Sequence, residues 1–458
     1  QILESMSNAF AGDFVVQRYI GPRNANFANL SSPIVNATVA QWDDDLFLSG
    51  VGGVDGNAVA SGGGIFYSVY SYSRQQDKHD TITSVSTAIV PGQGYELWLA
   101  DNLSTFNGRI IDYNGTPNSG DVISAFVDKG WNLLGNPYHS FIQYDSISTS
   151  IWVPNSYYIF NTNNGSYDFF NGASKPPIAP GQGFWINKIP GGTKVVDFRE
   201  VAKVNSNSSS FLRKAINKTF SLRISNEINT FSHLASIDFD ANSTDKIDEK
   251  DGYYLPSPEK RAPAIFSKAS NSDEGLIFNS LSPFEQNHVI PMSVYTGVKG
   301  KHTISIQNIG EALKEYNCIY LSDKMESSLI DLTVEQEYDF FSNSTATSNR
   351  FELILSNSFD ECQKLVEGEL SIIQKLDDAI SLRNNQSGWW IDYSFSSPDQ
   401  KQLEIRVYSL AGQLVVSPES VSVNGSGSLA LSQLRSLNGI FLIQVIGGGE
   451  IVNQRVKL

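Results

Sequence analysis

The sequence is short of charge, of cysteine and of surface-helix formers, and each shortage removes a class of protein. Only 18 % of its 458 residues are charged, and 33 Lys and Arg stand against 48 Asp and Glu, a formal net charge of −15. Nucleic acid needs a basic face for its phosphates, and an anionic membrane surface attracts polybasic patches; neither partner is expected here. No apolar run approaches the ~20 residues of a membrane helix, so no transmembrane segment is expected. The two cysteines, Cys318 and Cys362, have neither a CxxC spacing nor a neighbouring His. They read as one disulfide or as two buried thiols. The numbering opens at Gln1 with no initiator Met and no signal peptide, so a segment upstream is expected.

Catalytic signatures are equally scarce. His79, His139, His233, His288 and His302 are dispersed, and none falls in an HExxH or comparable ligand spacing. There is no Gly-x-Ser-x-Gly elbow and no P-loop. Carboxylates are plentiful, but no spacing singles out a glycosidase-like pair. The chain is therefore read as binding or structural, with no catalytic residue assigned; a catalytic domain upstream of Gln1 is compatible with that reading. No cofactor is expected, with one calcium candidate set aside. Asp238, Asp240, Asn242 and Glu249 place oxygens at positions 1, 3, 5 and 12 of a loop, the spacing by which an EF-hand gathers oxygen ligands. Ser243 stands where the sharp-turn glycine belongs, no helix flanks the loop, and Asx-turns between strands explain the same residues.

What the chain does have is aromatic residues (11 %), 36 glycines and short stretches of period near two. Ile65–Tyr72, Gly94–Leu99, Phe184–Lys188, Phe220–Ile224, Ala235–Phe239, Thr303–Ile306, Phe351–Leu355, Leu403–Tyr408 and Ile440–Ile446 all read as half-buried strands. Helix is expected only at Ile309–Tyr316, in one turn around Ser432–Leu437, and in the first few residues. The fold class is all-β, a tandem of β-sandwich domains.

Two internal echoes organise the first two hundred residues. Val90-Pro91-Gly92-Gln93-Gly94-Tyr95 returns as Ala179-Pro180-Gly181-Gln182-Gly183-Phe184, and Phe27-Ala28-Asn29-Leu30-Ser31-Ser32-Pro33 returns as Trp131-Asn132-Leu133-Leu134-Gly135-Asn136-Pro137. Proline fixes φ and glycine tolerates φ > 0, so both motifs are turn chemistry. Two copies are too few for a solenoid, and one duplicated β-domain over residues 1–203 is expected. Asn205–Ser210 is a polar linker. A β-sandwich module follows over 211–357, and an Ig-like sandwich over 366–458.

At the C-terminus, Val407-Tyr408-Ser409-Leu410-Ala411-Gly412-Gln413-Leu414-Val415 precedes Leu437-Asn438-Gly439-Ile440-Phe441-Leu442, and the chain closes on Val452-Asn453-Gln454-Arg455-Val456-Lys457-Leu458. This order resembles the C-terminal sorting domain of Bacteroidetes proteins exported by the type IX secretion system. That family shows a strand–Gly–strand, a Gly-x-aromatic strand and a basic residue near the end. In place of the family's Tyr-Pro-Asn-Pro-like opening the chain carries Asn384-Asn385-Gln386-Ser387-Gly388-Trp389-Trp390. Gly130–Tyr138, Ser236–Leu255, Ile319–Lys324 and Arg350–Leu353 look like segments of large surface proteins of the same phylum.

The resemblance implies type IX cargo, secreted or displayed on the cell surface as a structural or adhesive protein. Residues 366–458 would engage the type IX translocon and its outer-membrane shuttle protein, with Gly412, Gly439, Phe441, Arg455 and Lys457 carrying the sorting signal. Ser356–Val366 would be a processing region. A surface glycan or substratum would be a partner outside the cell. The competing reading is a carbohydrate-binding accessory module, with Trp389, Trp390 and Tyr393, or Trp42, Trp98, Trp152 and Trp185, stacking on sugar faces. Adjacent Trp389 and Trp390 on a strand must take opposite faces, and most of the other tryptophans are expected in alternating strands, facing the core.

Overall fold

The computed structural model describes residues 14–50, 58–59, 65–74, 76–102, 105–126, 130–148, 154–171, 175–188, 195–205, 219–270, 272–282, 288–312, 316–358, 362, 379–385, 388–394, 401–409, 412–423, 426–447 and 450–457. The chain is all-β, as its alternating pattern requires, and divides into two compact units, Gln1–Ser358 and Phe359–Leu458.

The first unit opens with a duplicated strand set. Counting strands of four or more residues, the first copy contains β1 (Phe14–Ile20), β2 (Asn26–Leu30), β3 (Val69–Ser73), β4 (Lys78–Thr81), β5 (Tyr95–Leu99) and β6 (Arg109–Gly115). The second contains β7 (Val122–Phe126), β8 (Gly130–Gly135), β9 (Ser156–Asn161), β10 (Ser166–Asn171), β11 (Gly183–Lys188) and β12 (Val195–Phe198). Each copy forms a four-stranded antiparallel sheet with the same order, β2-β5-β3-β4 and β8-β11-β9-β10, and a two-stranded ribbon, β1-β6 and β7-β12.

The echoed turns lock the copies together reciprocally. Gln93 bridges Leu134, and Gln182 bridges Leu30, the equivalent position of the other copy. Gly135 N–H donates to Gly92 O at 3.0 Å, and Ser31 N–H donates to Gly181 O at 2.9 Å, again equivalent pairs. Gly92 and Gly181 adopt φ of +78° and +63°, which L side chains rarely take. Each Pro-Gly-Gln-Gly turn thus docks on the other copy's Asn/Ser-Pro strand, the relation expected of a pseudo-two-fold. Arg18 adds a brace, its guanidinium reaching Gly181 O and Gln182 Oε1.

One face of each sheet packs on its own apolar core: Ala28, Leu30, Val69, Tyr95, Leu97 and Leu99 in the first copy, Leu134, Tyr157, Phe184 and Ile186 in the second. The other face of the second sheet carries Leu133, Tyr158, Phe160, Tyr167 and Trp185. These pack in one cluster with Ala264, Phe266 and Ile277, so the duplicated region and the strands after residue 219 share a hydrophobic cluster within the unit. Residues 206–218, most of the expected linker included, lie outside the described residues.

The rest of the first unit is an eleven-stranded sheet. Its strands are β13 (Phe220–Asn226), β14 (Ser232–Phe239), β15 (Ala264–Lys268), β16 (Gly275–Leu281), β17 (His288–Tyr295), β18 (Gly300–Gln307), β19 (Cys318–Asp323), β20 (Ser328–Asp331), β21 (Glu337–Ser342), β22 (Thr347–Ser356) and the short pair Gly252–Tyr253. The order is β20-β19-β22-β17-β15-β16-β14-β13-β18-β21, with Gly252–Tyr253 on β16. Ile330 and Phe340, on the two end strands, belong to one core cluster, and the Phe340 and Phe351 rings lie 5.1 Å apart. The sheet therefore folds over on itself, as a sandwich does. Arg350 and Asp323, from two segments of the surface-protein resemblance, form a bidentate pair at 2.7 and 2.6 Å. Tyr338 donates a third hydrogen bond to Asp323, and Phe340 and Phe351 flank the guanidinium.

The second unit has β23 (Ala379–Asn385), β24 (Gly388–Ser394), β25 (Lys401–Ser409), β26 (Leu414–Val423), β27 (Ser426–Ala430), β28 (Ile440–Gly447) and β29 (Glu450–Lys457). Sheets β23-β24-β27 and β26-β25-β28-β29 share one core of Ile380, Ile391, Leu403, Ile405, Val407, Ile443 and Val445, a two-sheet sandwich.

The helical expectations were partly met. Ile309–Ala312 is helical and Ser432–Ser436 is a 3₁₀ turn, while residues 1–13 lie outside the described residues. Trp42 sits in a short helix, Ala40–Asp43, which alternation cannot detect. It is fully buried, and its Nε1 donates to Tyr113 Oη at 3.2 Å. Both cysteines are disulfide-bonded, which settles the choice left open by their spacing.

Candidate functional site

Strand alternation gives each duplicated sheet a second face, and the two second faces line one pocket of about 480 Å³. The first copy supplies Phe27, Tyr70, Tyr72, Asp77, His79 and Glu96; the second supplies Trp131, Tyr167 and Trp185. Leu255, Pro256, Pro258 and Lys260, from the segment between Gly252–Tyr253 and β15, complete the wall. The volume falls in the range of about 300–1,000 Å³ usual for small-ligand sites.

Register explains which side chains meet. Tyr70 pairs with Glu96 across β3 and β5, and Tyr72 with His79 across β3 and β4. In the second copy Tyr158 pairs with Trp185 and Phe160 with Tyr167. Counting from each echoed turn, Glu96 and Trp185 are equivalent positions. The duplication has kept the fold and diverged in chemistry, with a carboxylate and an imidazole on one wall and indole and phenol on the other. The Tyr72 and Trp185 rings meet nearly edge to face at 4.7 Å, and Trp131 and Trp185 at 6.4 Å.

Glu96 is 3 % exposed. His79 Nε2 stands 3.3 Å from its Oε2, within ion-pair distance, yet that oxygen takes no hydrogen bond among the described residues. Tyr72 donates its hydroxyl to Asp77 at the pocket edge. Burial, followed by that Asp77 contact, pushes the Tyr72 phenol well above its ordinary range, so it stays a hydrogen-bond donor. Tyr70 is raised by burial and then by the neighbouring Glu96 charge.

The residues singled out in the sequence fall elsewhere. Gly412 has φ +79° in the β25–β26 turn, and Gly439 has φ +129° at the entrance to β28. Phe441 packs against the core of the second unit, as does Val452, while Val456 lies within it. Arg455 and Lys457 hold register with Leu442 and Ile440 on β29, and their side chains lie outside the described residues. Trp389 packs on the core with Tyr393, and Trp390 takes the opposite parity. Trp42 and Trp185 are buried, Trp98 packs edge-on against Phe27, and Trp152 lies outside the described residues. Of Ser356–Val366, residues 359–361 and 363–366 also lie outside them.

The residues of the calcium candidate make contacts with other side chains and backbone. Asp240 forms an ion pair with Lys250 at 2.8 Å and accepts the Asn242 N–H at 2.8 Å, an Asx-turn, and these contacts hold its carboxyl below the usual range. Asp238 accepts from the Thr219 hydroxyl on the neighbouring segment. A lysine therefore serves the carboxylate that a cation would need. The described residues hold no group of three or more His, Cys, Asp or Glu placed to share a metal.

The pocket itself was missed. Its one available signal was the echo: Glu96 is a lone charge in Tyr-Glu-Leu-Trp-Leu where the second copy has Trp185. Residues 143–355 match a family described as a domain of unknown function, DUF8693. That span holds Tyr167, Trp185 and the Leu255–Lys260 wall, and the acid–imidazole wall precedes it. The chain matches no curated protein.

Proposed function

We propose that this chain is type IX secretion cargo of a Bacteroidetes bacterium, displayed on the cell surface or secreted, with its second unit as the export address. The observation that carries the reading is the second unit itself. The segments resembling a sorting domain fall within one separate sandwich of about a hundred residues that closes on the hairpin β28–β29. The disulfide-bonded cysteines support it, because disulfides persist in oxidising compartments and are rare in the cytosol. The −15 charge favours solubility outside the cell, and no described helix is long and apolar enough to cross a membrane. In this reading the chain binds or supports rather than catalyses. Deleting residues 366–458 should leave the protein in the periplasm of a type IX-competent host, read by fractionation and protease accessibility. Undiminished surface display of the truncated chain would overturn the proposal.

A second reading, a carbohydrate-binding accessory, is favoured by the aromatic pocket of the first unit. The two are compatible, since an exported protein can carry a binding body.

A further inference from the structure

We infer that the pocket between the duplicated sheets is a binding site for an uncharged saccharide, with Glu96 accepting from its hydroxyls and the half-buried Tyr72 and Trp131 covering its apolar face. The inference deepens the carbohydrate-binding reading and does not depend on the export proposal.

Three observations lead to it. A buried carboxylate oxygen without a hydrogen bond is costly, and native structures rarely leave one so without a use. Glu96 Oε2 is such an oxygen, with the His79 imidazole 3.3 Å away, and Glu96 is one of the residues that line the cavity. Second, the pocket brings two acidic side chains, Asp77 and Glu96, together with Lys260 and His79. A lysine on the wall and an imidazole against Glu96 take the places that an aromatic cage with acidic groups alone would leave to a cationic ligand. Third, the walls combine broad aromatic surface with a few convergent polar groups. A sugar presents both counterparts, C–H faces for the rings and hydroxyls for the carboxylate, as orientation in small-ligand sites requires.

The experiment is calorimetric titration of the purified full chain with neutral gluco-, manno-, galacto- and xylo-oligosaccharides, alongside tryptophan fluorescence. Saturable binding is expected for at least one series. Glu96→Gln, which keeps the side-chain shape, should weaken it roughly ten- to a hundred-fold, the loss typical of a hydrogen bond to a charged group. Tyr72→Ala, at a half-buried wall position, should also weaken it and carries the test should Glu96→Gln fail to fold in a thermal melt. Sugar binding unchanged by both variants would overturn the pocket assignment and leave the accessory reading standing. No saturable binding by any series would overturn both. Binding of tetramethylammonium in place of sugars, sensitive to the same variants, would overturn the ligand class.

Discussion

If the two copies brace each other through their echoed turns, removing the space that each turn occupies should destabilise the whole first unit. Gly94 and Gly183 are the positions to test. A Cβ on Gly94 would lie 2.4 Å from Leu134 O and 2.8 Å from Leu133 Cγ, and a Cβ on Gly183 would lie 2.9 Å from both C and Cβ of Asn29. Three of these four neighbours belong to backbone or to Cβ, so they cannot swing aside as a long side chain would. Overpacking of this kind costs about 1–3 kcal/mol, against the gain of about 0.4–1 kcal/mol that Gly→Ala brings by restricting the unfolded chain. Gly310, with nothing within 4 Å of its Cβ, is the control, and Gly310→Ala should be neutral or stabilising by about that gain. Gly94→Ala and Gly183→Ala should each lose about 1–3 kcal/mol in urea unfolding followed by tryptophan fluorescence. Because the two turns serve one interface, the double variant should lose less than the sum, a coupling of about 0.5 kcal/mol or more. Both single variants within about 0.5 kcal/mol of the parent, the scatter of inert surface changes, would refute the reciprocal docking.

Further outcomes follow from buried polar groups. Asp323→Ala should cost about 3–5 kcal/mol in the same assay, because it strands the 3 %-exposed Arg350 guanidinium without its bidentate partner; a loss below about 1 kcal/mol would contradict the buried pairing. Burial lowers His233 to about 4, so its neutral form stabilises the fold fully above the unfolded value of 6.5, and that stability is lost as pH falls from 6.5 towards 4. Asp251, raised by burial to about 6, works in the opposite direction over nearly the same window. The discriminating measurement is therefore the variant: the drop in stability from pH 7 to pH 4.5 should be about 2–3 kcal/mol smaller in His233→Gln than in the parent. Iodoacetamide under denaturing, non-reducing conditions should leave the intact mass unchanged, with two adducts appearing after reduction.

Much of the architecture was legible because strands write their burial into every second residue. Tyr95, Leu97 and Leu99 face the core of the first copy while Glu96 and Trp98 face away, as a period of two demands. The echoed Pro-Gly-Gln-Gly turns announced a duplication but not where each turn would dock, since a turn's own residues do not name the strand across the interface. Trp42 escaped because its helical turn is too short for a period and is held by burial and by Tyr113. The pocket escaped for a related reason. His79 lies in the charged run Lys-His-Asp-Thr and reads as surface, and only the register of β3 with both β4 and β5 brings it to Glu96. At the calcium candidate the spacing of the oxygens was legible, but not that Lys250 would pair with Asp240 from outside the loop.

The central claim, that the duplicated body forms a ligand site between its two second faces, is tested most directly by a crystal structure of the full chain soaked with its best-binding oligosaccharide. The account predicts a sugar ring in the pocket, within hydrogen-bond distance of Glu96 and in contact with Tyr72 or Trp131. A sugar bound elsewhere, with Glu96 still facing an empty pocket, would contradict it.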